Sequence, residues 1–165
     1  MKYAYIGTHG VGKSAAAHFL AAKLKRAHPE LSIKVIEESA REISKISGIN
    51  NSQFQKMAIL DSLYKQELYM PLYDVIICDR TPFDYLIYSK VFGVQLDSTY
   101  EQLAIDNLKI FDHIYFIRPD GTPLANDGFR LTNEREQIKL DKVFMFHLDI
   151  NKIQHEVIRT TEVYK

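Results

Sequence analysis

The sequence predicts a three-layer α/β fold, a parallel five-stranded sheet with helices on both faces. Three observations predict it. Residues 7–14 read Gly-Thr-His-Gly-Val-Gly-Lys-Ser, a complete G-x-x-x-x-G-K-[ST] phosphate-binding loop between the strand-like run Tyr3-Ala-Tyr-Ile6 and a strongly helical stretch from Ser14. Apolar strand-length runs then alternate with helical patterns along the chain, which requires right-handed crossovers and a parallel sheet. Finally, Asp74-Val-Ile-Ile-Cys-Asp79 is a continuous apolar run bounded by charges, the pattern of a strand buried on both faces.

The elements follow in order. A first strand at about 2–6 leads into a helix at about 13–27, which stops at His28-Pro29 because the residue before proline is pushed out of the helical region. Ile33-Lys-Val-Ile-Glu37 is the second strand, and residues 39–46 read as a short helix before the break Gly48-Ile-Asn-Asn-Ser52. Ser52 opens a long helix to about Tyr69, with Phe54, Met57, Ile59-Leu60, Leu63-Tyr64 and Leu68 at spacings of three and four, and Pro71 ends it. The third strand closes at Asp79, and helices follow at about 82–92 and 97–110. His113-Ile-Tyr-Phe-Ile117 is the fourth strand. The Pro- and Gly-rich stretch 118–131 reads as a loop long enough to suspect a function. A helix from about Thr132, its N-cap, runs to Leu148, and Glu156-Val-Ile-Arg-Thr160 is the last strand.

At 165 residues the chain is expected to form one domain with a substantial core. With 21 basic and 21 acidic residues, no global field recruits nucleic acid or an anionic membrane. The single cysteine, Cys78, fits a reducing compartment, and its apolar strand marks it as a buried small hydrophobe. No apolar run approaches spanning length and no secretory leader precedes the first strand, so a soluble, cytoplasmic protein is expected. The six histidines show no metal-ligand spacing.

Ligands in parallel sheets bind at the carboxyl ends of strands. Charged residues collect there: the phosphate loop after strand one, Glu37-Glu38 after strand two, Asp79-Arg80 after strand three and Arg118 after strand four. In the loop, glycines permit a tight turn whose amides face phosphate oxygens, helped by the positive end of the following helix. The nucleotide site therefore comprises Gly7, His9, Gly10, Val11, Gly12, Lys13 and Ser14, with Lys13 on the β- and γ-phosphates and Ser14 Oγ on Mg²⁺. Asp79 is placed to hold a metal-bound water or accept a proton from an attacking hydroxyl. Its alternative is a capping role before Thr81-Pro82. Arg80 is an anion clamp or the partner of a structural ion pair, with Glu38 as the candidate partner. Of Glu37 and Glu38 only one should face the site, since side chains alternate along a strand, and Glu38 is the favoured one. Arg130 and Arg135 flank the start of the last long helix, where a lid would bring positive charge onto the transferring phosphates. Phe83, Tyr85 and Tyr88 are mostly core, with one of them, Phe83 in first place, a candidate to stack on an acceptor ring.

These motifs carry a family resemblance. The loop at 7–14 resembles that of nucleoside and nucleotide kinases, and Cys78-Asp-Arg-Thr-Pro-Phe-Asp-Tyr85 resembles the [D/E]-R-[S/T/Y] motif of thymidylate and deoxynucleoside kinases. Glu38-Ser-Ala-Arg41-Glu42 together with Asp127-Gly-Phe-Arg130 looks most like the AAA-type ATPase/kinase domain of bifunctional bacterial nicotinamide riboside kinases and of phage proteins. The resemblance implies a fold like that of the nucleoside-monophosphate kinases, ATP and Mg²⁺ as cofactors, and phosphoryl transfer to a small acceptor, a nucleoside or nucleotide. It implies acceptor or metal chemistry at Glu38 and Asp79, acceptor binding at Arg41 and Arg80, and a lid role for Arg130. Two other classes stay open: a kinase acting on a DNA or RNA end or modified base, disfavoured by the neutral charge, and a nucleotide-hydrolysing regulatory module. Against the latter, the chain has no Asn-Lys-x-Asp and no Asp-x-x-Gly.

Overall fold

The structure, a computed structural model, describes residues 1–40, 43, 51–121 and 134–162. Five strands, β1 (Lys2–Gly7), β2 (Ile33–Ile36), β3 (Val75–Asp79), β4 (His113–Arg118) and β5 (Glu156–Arg159), form one sheet in the order β2-β3-β1-β4-β5. Every pairing is parallel. The helices are α1 (Lys13–Ala27), α2 (Ser52–Tyr69), α3 (Pro82–Val91), α4 (Ser98–Leu108) and α5 (Glu134–Ile150), and a 3-10 turn at Thr160–Glu162 follows β5. The expected three-layer fold is the observed one. The short helix expected at 39–46, the loop 118–131 beyond Gly121, and the Thr132 cap lie largely or wholly outside the described residues.

Alternation along the strands divides the core in two. Ala4 and Ile6 of β1, Ile76 and Cys78 of β3, and Ile114 and Phe116 of β4 point to the face covered by α3, α4 and α5, where Phe83, Leu86, Leu108, Leu140 and Phe144 fill the space. Tyr3, Tyr5, Val75, Ile77 and Ile117 point to the other face, against Ala16, Ala17, Leu20 and Leu24 of α1. A third cluster, with Phe54, Ala58 and Ile59 of α2 around Tyr85, seats α2 on α3. Cys78 is fully buried, and burial pushes its thiol well above the ordinary range, so it is inert packing.

Register sets the functional edge. Tyr5 of β1 pairs with Asp79 of β3, and Ile36 of β2 pairs with Cys78, so the chain ends that follow β1, β2 and β3 leave the sheet side by side. Gly7 ends β1 opposite Ile117 of β4, with φ at +136°, and a Cβ there would meet the Ile117 carbonyl oxygen at 2.4 Å. No side chain fits between these two backbones. Gly7→Ala is expected to lower stability by about 3 kcal/mol, because the obstacle is main chain that cannot swing aside. Denaturant unfolding checks this, and a variant as stable as wild type contradicts it.

Candidate active site

The phosphate loop turns on two further left-handed glycines, Gly10 (φ 75°) and Gly12 (φ 85°), the latter being the N-cap of α1. Lys13 is the first residue of that helix and only 5% exposed. Its Nζ donates to the carbonyl oxygens of Gly7 at 2.9 Å and of Thr8 at 2.5 Å, so the side chain lies back along its own loop. Burial, with Arg80 nearby, pushes Lys13 down to about 7, against the opposing pull of Asp84, Asp79 and Glu38.

Ser14, the next residue, donates from Oγ to Asp79 Oδ2 at 2.5 Å. The expected meeting of the loop with the end of β3 is therefore made by a direct bond. A hydroxyl and a carboxylate side by side are the hard oxygen donors that suit Mg²⁺, which takes few protein ligands and completes its shell with phosphate and water. Among the described residues no cluster of three or more His, Cys, Asp or Glu forms a fuller metal cage.

Arg80 follows in the left-handed region at φ 76°, a conformation costing about 1–3 kcal/mol in a non-glycine residue, and its amide is held by the Tyr5 carbonyl at 3.0 Å. That turn aims the guanidinium inward. Its Nε lies 2.7 Å from Glu38 Oε1, and its Cζ sits 5.2 Å from the centre of the Tyr88 ring. Burial opposes the charge on Arg80, but Glu38 above all overcomes this and holds it well above the ordinary arginine range. The ion pair expected as the alternative for Arg80 is thus present. Of the two carboxylates Glu38 faces Arg80, whereas Glu37 is exposed and meets His18 at 3.5 Å. On the outer side of Glu38 opens a cavity of about 390 Å³, bounded by β2 with Glu37 and by Lys65 and Tyr69 of α2.

Two residues of this site, Asp84 and Gln137, escaped the sequence reading. Asp84 is fully buried and accepts from the Gly7 amide at 3.2 Å, the Thr81 amide at 2.9 Å and Thr81 Oγ1 at 3.2 Å, tying the first residue of the phosphate loop to the turn after β3. Burial pushes its carboxyl up to about 6, while Arg80, Lys13 and the two amides pull the other way. The signal was available, since Thr81-Pro-Phe-Asp84 is a helix-start pattern with an acid at the third helical position. Tyr88, two turns into α3, pairs with His9 Nδ1 at 3.3 Å, and Gln137 of α5 donates to the His9 carbonyl at 2.9 Å. His9 thus serves to anchor the loop tip.

Phe83 requires a correction. It is 0% exposed, its ring 6.0 Å from that of Phe144 in the core, so it cannot reach an acceptor. The helical period turns Tyr88, not Phe83, toward Arg80. Arg118 at the end of β4 forms a two-pronged pair with Asp141 of α5, with Nη2 to Oδ2 at 2.6 Å, and is committed to holding that helix. Arg135 is exposed in the first turn of α5. Arg41 and Arg130 lie outside the described residues.

Replacing Asp84 by alanine strands three donors in a dry interior. The expected loss is at least about 2 kcal/mol, with Asp84→Asn intermediate because an acceptor oxygen remains. Urea denaturation of the two variants checks it, and equal stability of Asp84→Ala and wild type contradicts the linking role.

Comparison with known proteins follows the same lines. A family model described as an AAA domain matches residues 2–163. A search of curated proteins found no match. Among solved structures, thymidylate kinase from Ehrlichia chaffeensis superposes with a TM-score of 0.71 at 18% identity, covering 96% of this chain and 86% of that one. Deoxyadenosine kinase from M. mycoides, with dCMP and dCDP bound, gives 0.59 at 17% identity over 99% and 95% of the two chains. A NadR protein in complex with NR gives 0.70 at 19%, covering 96% of this chain but 45% of that longer one. At such identities the likeness is one of fold. The family model's match over almost the whole length places the chain in this AAA domain family, and the superpositions give it the fold of the P-loop nucleoside and nucleotide kinases.

Proposed function

We propose that the protein is a Mg²⁺-ATP-dependent phosphotransferase acting on a small nucleoside or nucleotide. The observation that carries this reading is the Ser14–Asp79 bond beside the Glu38–Arg80 pair, which joins a phosphate loop to a carboxylate-and-arginine clamp at the ends of three adjacent strands. The triphosphate lies on residues 7–14, with Lys13 leaving its loop carbonyls for the β- and γ-phosphates. Ser14 and Asp79 would hold Mg²⁺, which would supply charge neutralisation to the transferring group.

The acceptor enters the cavity beside Glu38, whose volume falls in the range of small-ligand sites. With Asp79 engaged by Ser14, Glu38 is the base. It takes the proton of the acceptor hydroxyl as that oxygen attacks the γ-phosphorus, and the bond to the bridging β–γ oxygen breaks to release ADP. Arg80 steadies the Glu38 carboxylate and shares its charge with the phosphate. Arg130 and Arg135 are assigned to the lid, and Arg41 to the acceptor. The fold relatives lend a nucleoside or nucleotide acceptor support: a thymidylate kinase, a deoxyadenosine kinase with dCMP bound and a protein bound to NR share this architecture. No helix among the described residues is long and apolar enough to cross a membrane, which fits a substrate met in solution.

The test is a screen of nucleosides, nucleotides and oligonucleotides with labelled ATP, run on wild type and Lys13→Ala. A small acceptor should be labelled, and the variant should lose about 10²–10³ in rate, the usual worth of one electrostatic donor at such a site. Near-normal transfer by Lys13→Ala refutes the assignment, labelling of oligonucleotides alone moves it to a polynucleotide kinase, and hydrolysis without any acceptor moves it to a regulatory NTPase.

A further inference from the structure

Helix α3 grips the phosphate loop at two points. Asp84, in its first turn, accepts from the Gly7 amide at 3.2 Å, and Tyr88, one turn further on, meets His9 Nδ1 at 3.3 Å. Residues four apart share a helix face, so the face that presents Asp84 to the site presents Tyr88 as well. Tyr88 thereby touches both halves of the site, the loop through its hydroxyl and the clamp through its ring.

The clamp needs this support. Arg80 Nε approaches Glu38 Oε1 at 2.7 Å but forms no hydrogen bond there, and Nη1 stands 4.0 Å from Asp84 Oδ1. Both contacts attract the guanidinium without fixing its plane, which directional hydrogen bonds would do. Among the described residues, the only aromatic ring over it is that of Tyr88, whose centre lies 5.2 Å from Cζ. Phe92, one turn beyond, backs that ring with centroids 6.0 Å apart.

The hydroxyl has a defined direction too. Burial pushes the Tyr88 phenol up, with Arg80 pulling the other way, so the group keeps its hydrogen beside a cation. Arginine presents donors only, which turns the lone pairs of the phenol oxygen toward Arg80 and its hydrogen toward His9. His9 Nδ1 then accepts, and the imidazole carries its own hydrogen on Nε2. Gln137 donates to the carbonyl of the same residue at 2.9 Å, so His9 is held by both backbone and side chain.

We propose that Tyr88 is a positioning residue that keeps the clamp and the phosphate loop at one spacing, its ring setting the Arg80 guanidinium and its hydroxyl setting His9. This rests on the phosphotransferase reading of the site, in which the two halves meet across the transferring phosphate.

Tyr88→Phe, which keeps the ring and removes only the hydroxyl, tests it. In wild type, long-range proton–nitrogen spectra should show His9 Nδ1 bare and Nε2 protonated, and Tyr88→Phe should lose that preference. Calorimetric affinity for MgATP should fall about 5-fold in Tyr88→Phe, the worth of one hydrogen bond, and the same substitution should have no effect in a His9→Ala background. The Arg80 Nε–H resonance should stay protected from exchange in Tyr88→Phe and be lost in Tyr88→Leu at an unchanged circular dichroism spectrum. A purely structural role would lower the unfolding midpoint and move neither the His9 tautomer nor the coupling between the two substitutions. Additive losses in the double variant, a His9 tautomer indifferent to Tyr88→Phe, or an Arg80 resonance that survives Tyr88→Leu overturns the role of Tyr88 while MgATP still binds. A wild type that binds no MgATP overturns the phosphotransferase reading and the role of Tyr88 with it.

Discussion

An ammonium group held where water cannot solvate it is the constraint around which the rest of this site is arranged. Lys13 is placed by the first turn of α1 into a space shared with Arg80 and three carboxylates, Asp79, Asp84 and Glu38. Its Nζ is held there because the Gly7 and Thr8 carbonyls accept hydrogen bonds from it and because the carboxylates offset Arg80, although desolvation still favours the uncharged amine. Those carbonyls come within reach only if the loop closes in a small radius, which explains the left-handed Gly10 and Gly12. Desolvation makes the same ammonium responsive to an arriving anion, since a phosphate restores the stabilisation that water would have given.

Asp84 carries that arrangement from loop to sheet. One carboxylate accepts from Gly7 at the end of β1 and from Thr81 after β3, so the phosphate loop and the Asp79-Arg80 turn keep a fixed spacing. The left-handed Arg80 then points back toward Glu38 rather than out to solvent. Arg80, Tyr88 and His9 form a chain of contacts from this clamp to the loop tip, and Gln137 closes it from α5.

Much of this was legible in the residues. The phosphate-loop motif fixed both the first strand and the first helix, because glycine spacing and the lysine that follows have few other uses. The buried run before Asp79 revealed the neighbouring strand through its lack of alternation. The Arg80–Glu38 pair was readable as one of two options, since both stand at strand ends. Phe83 was misassigned because proximity in sequence to Arg80 was given more weight than helical period, which turns position 83 into the core and position 88 toward the guanidinium. Asp84 was passed over because a capping pattern reads as local, whereas its second acceptor oxygen serves a residue 77 positions away. The two-sided apolarity of α2 also resisted reading: spacings of three and four do not say which leucines face inward.

The central claim is that Lys13 is poised by burial to gain a proton when phosphate arrives, and calorimetry tests it directly. MgATP binding measured at pH 8 in buffers of different ionisation enthalpy reports protons taken up. Because the free side chain is pushed down to about 7 and a bound triphosphate favours its charged form, wild type should take up roughly one proton and Lys13→Met none, with wild-type affinity falling as pH rises above that value. Binding without proton uptake, or uptake that persists in Lys13→Met, would contradict the account.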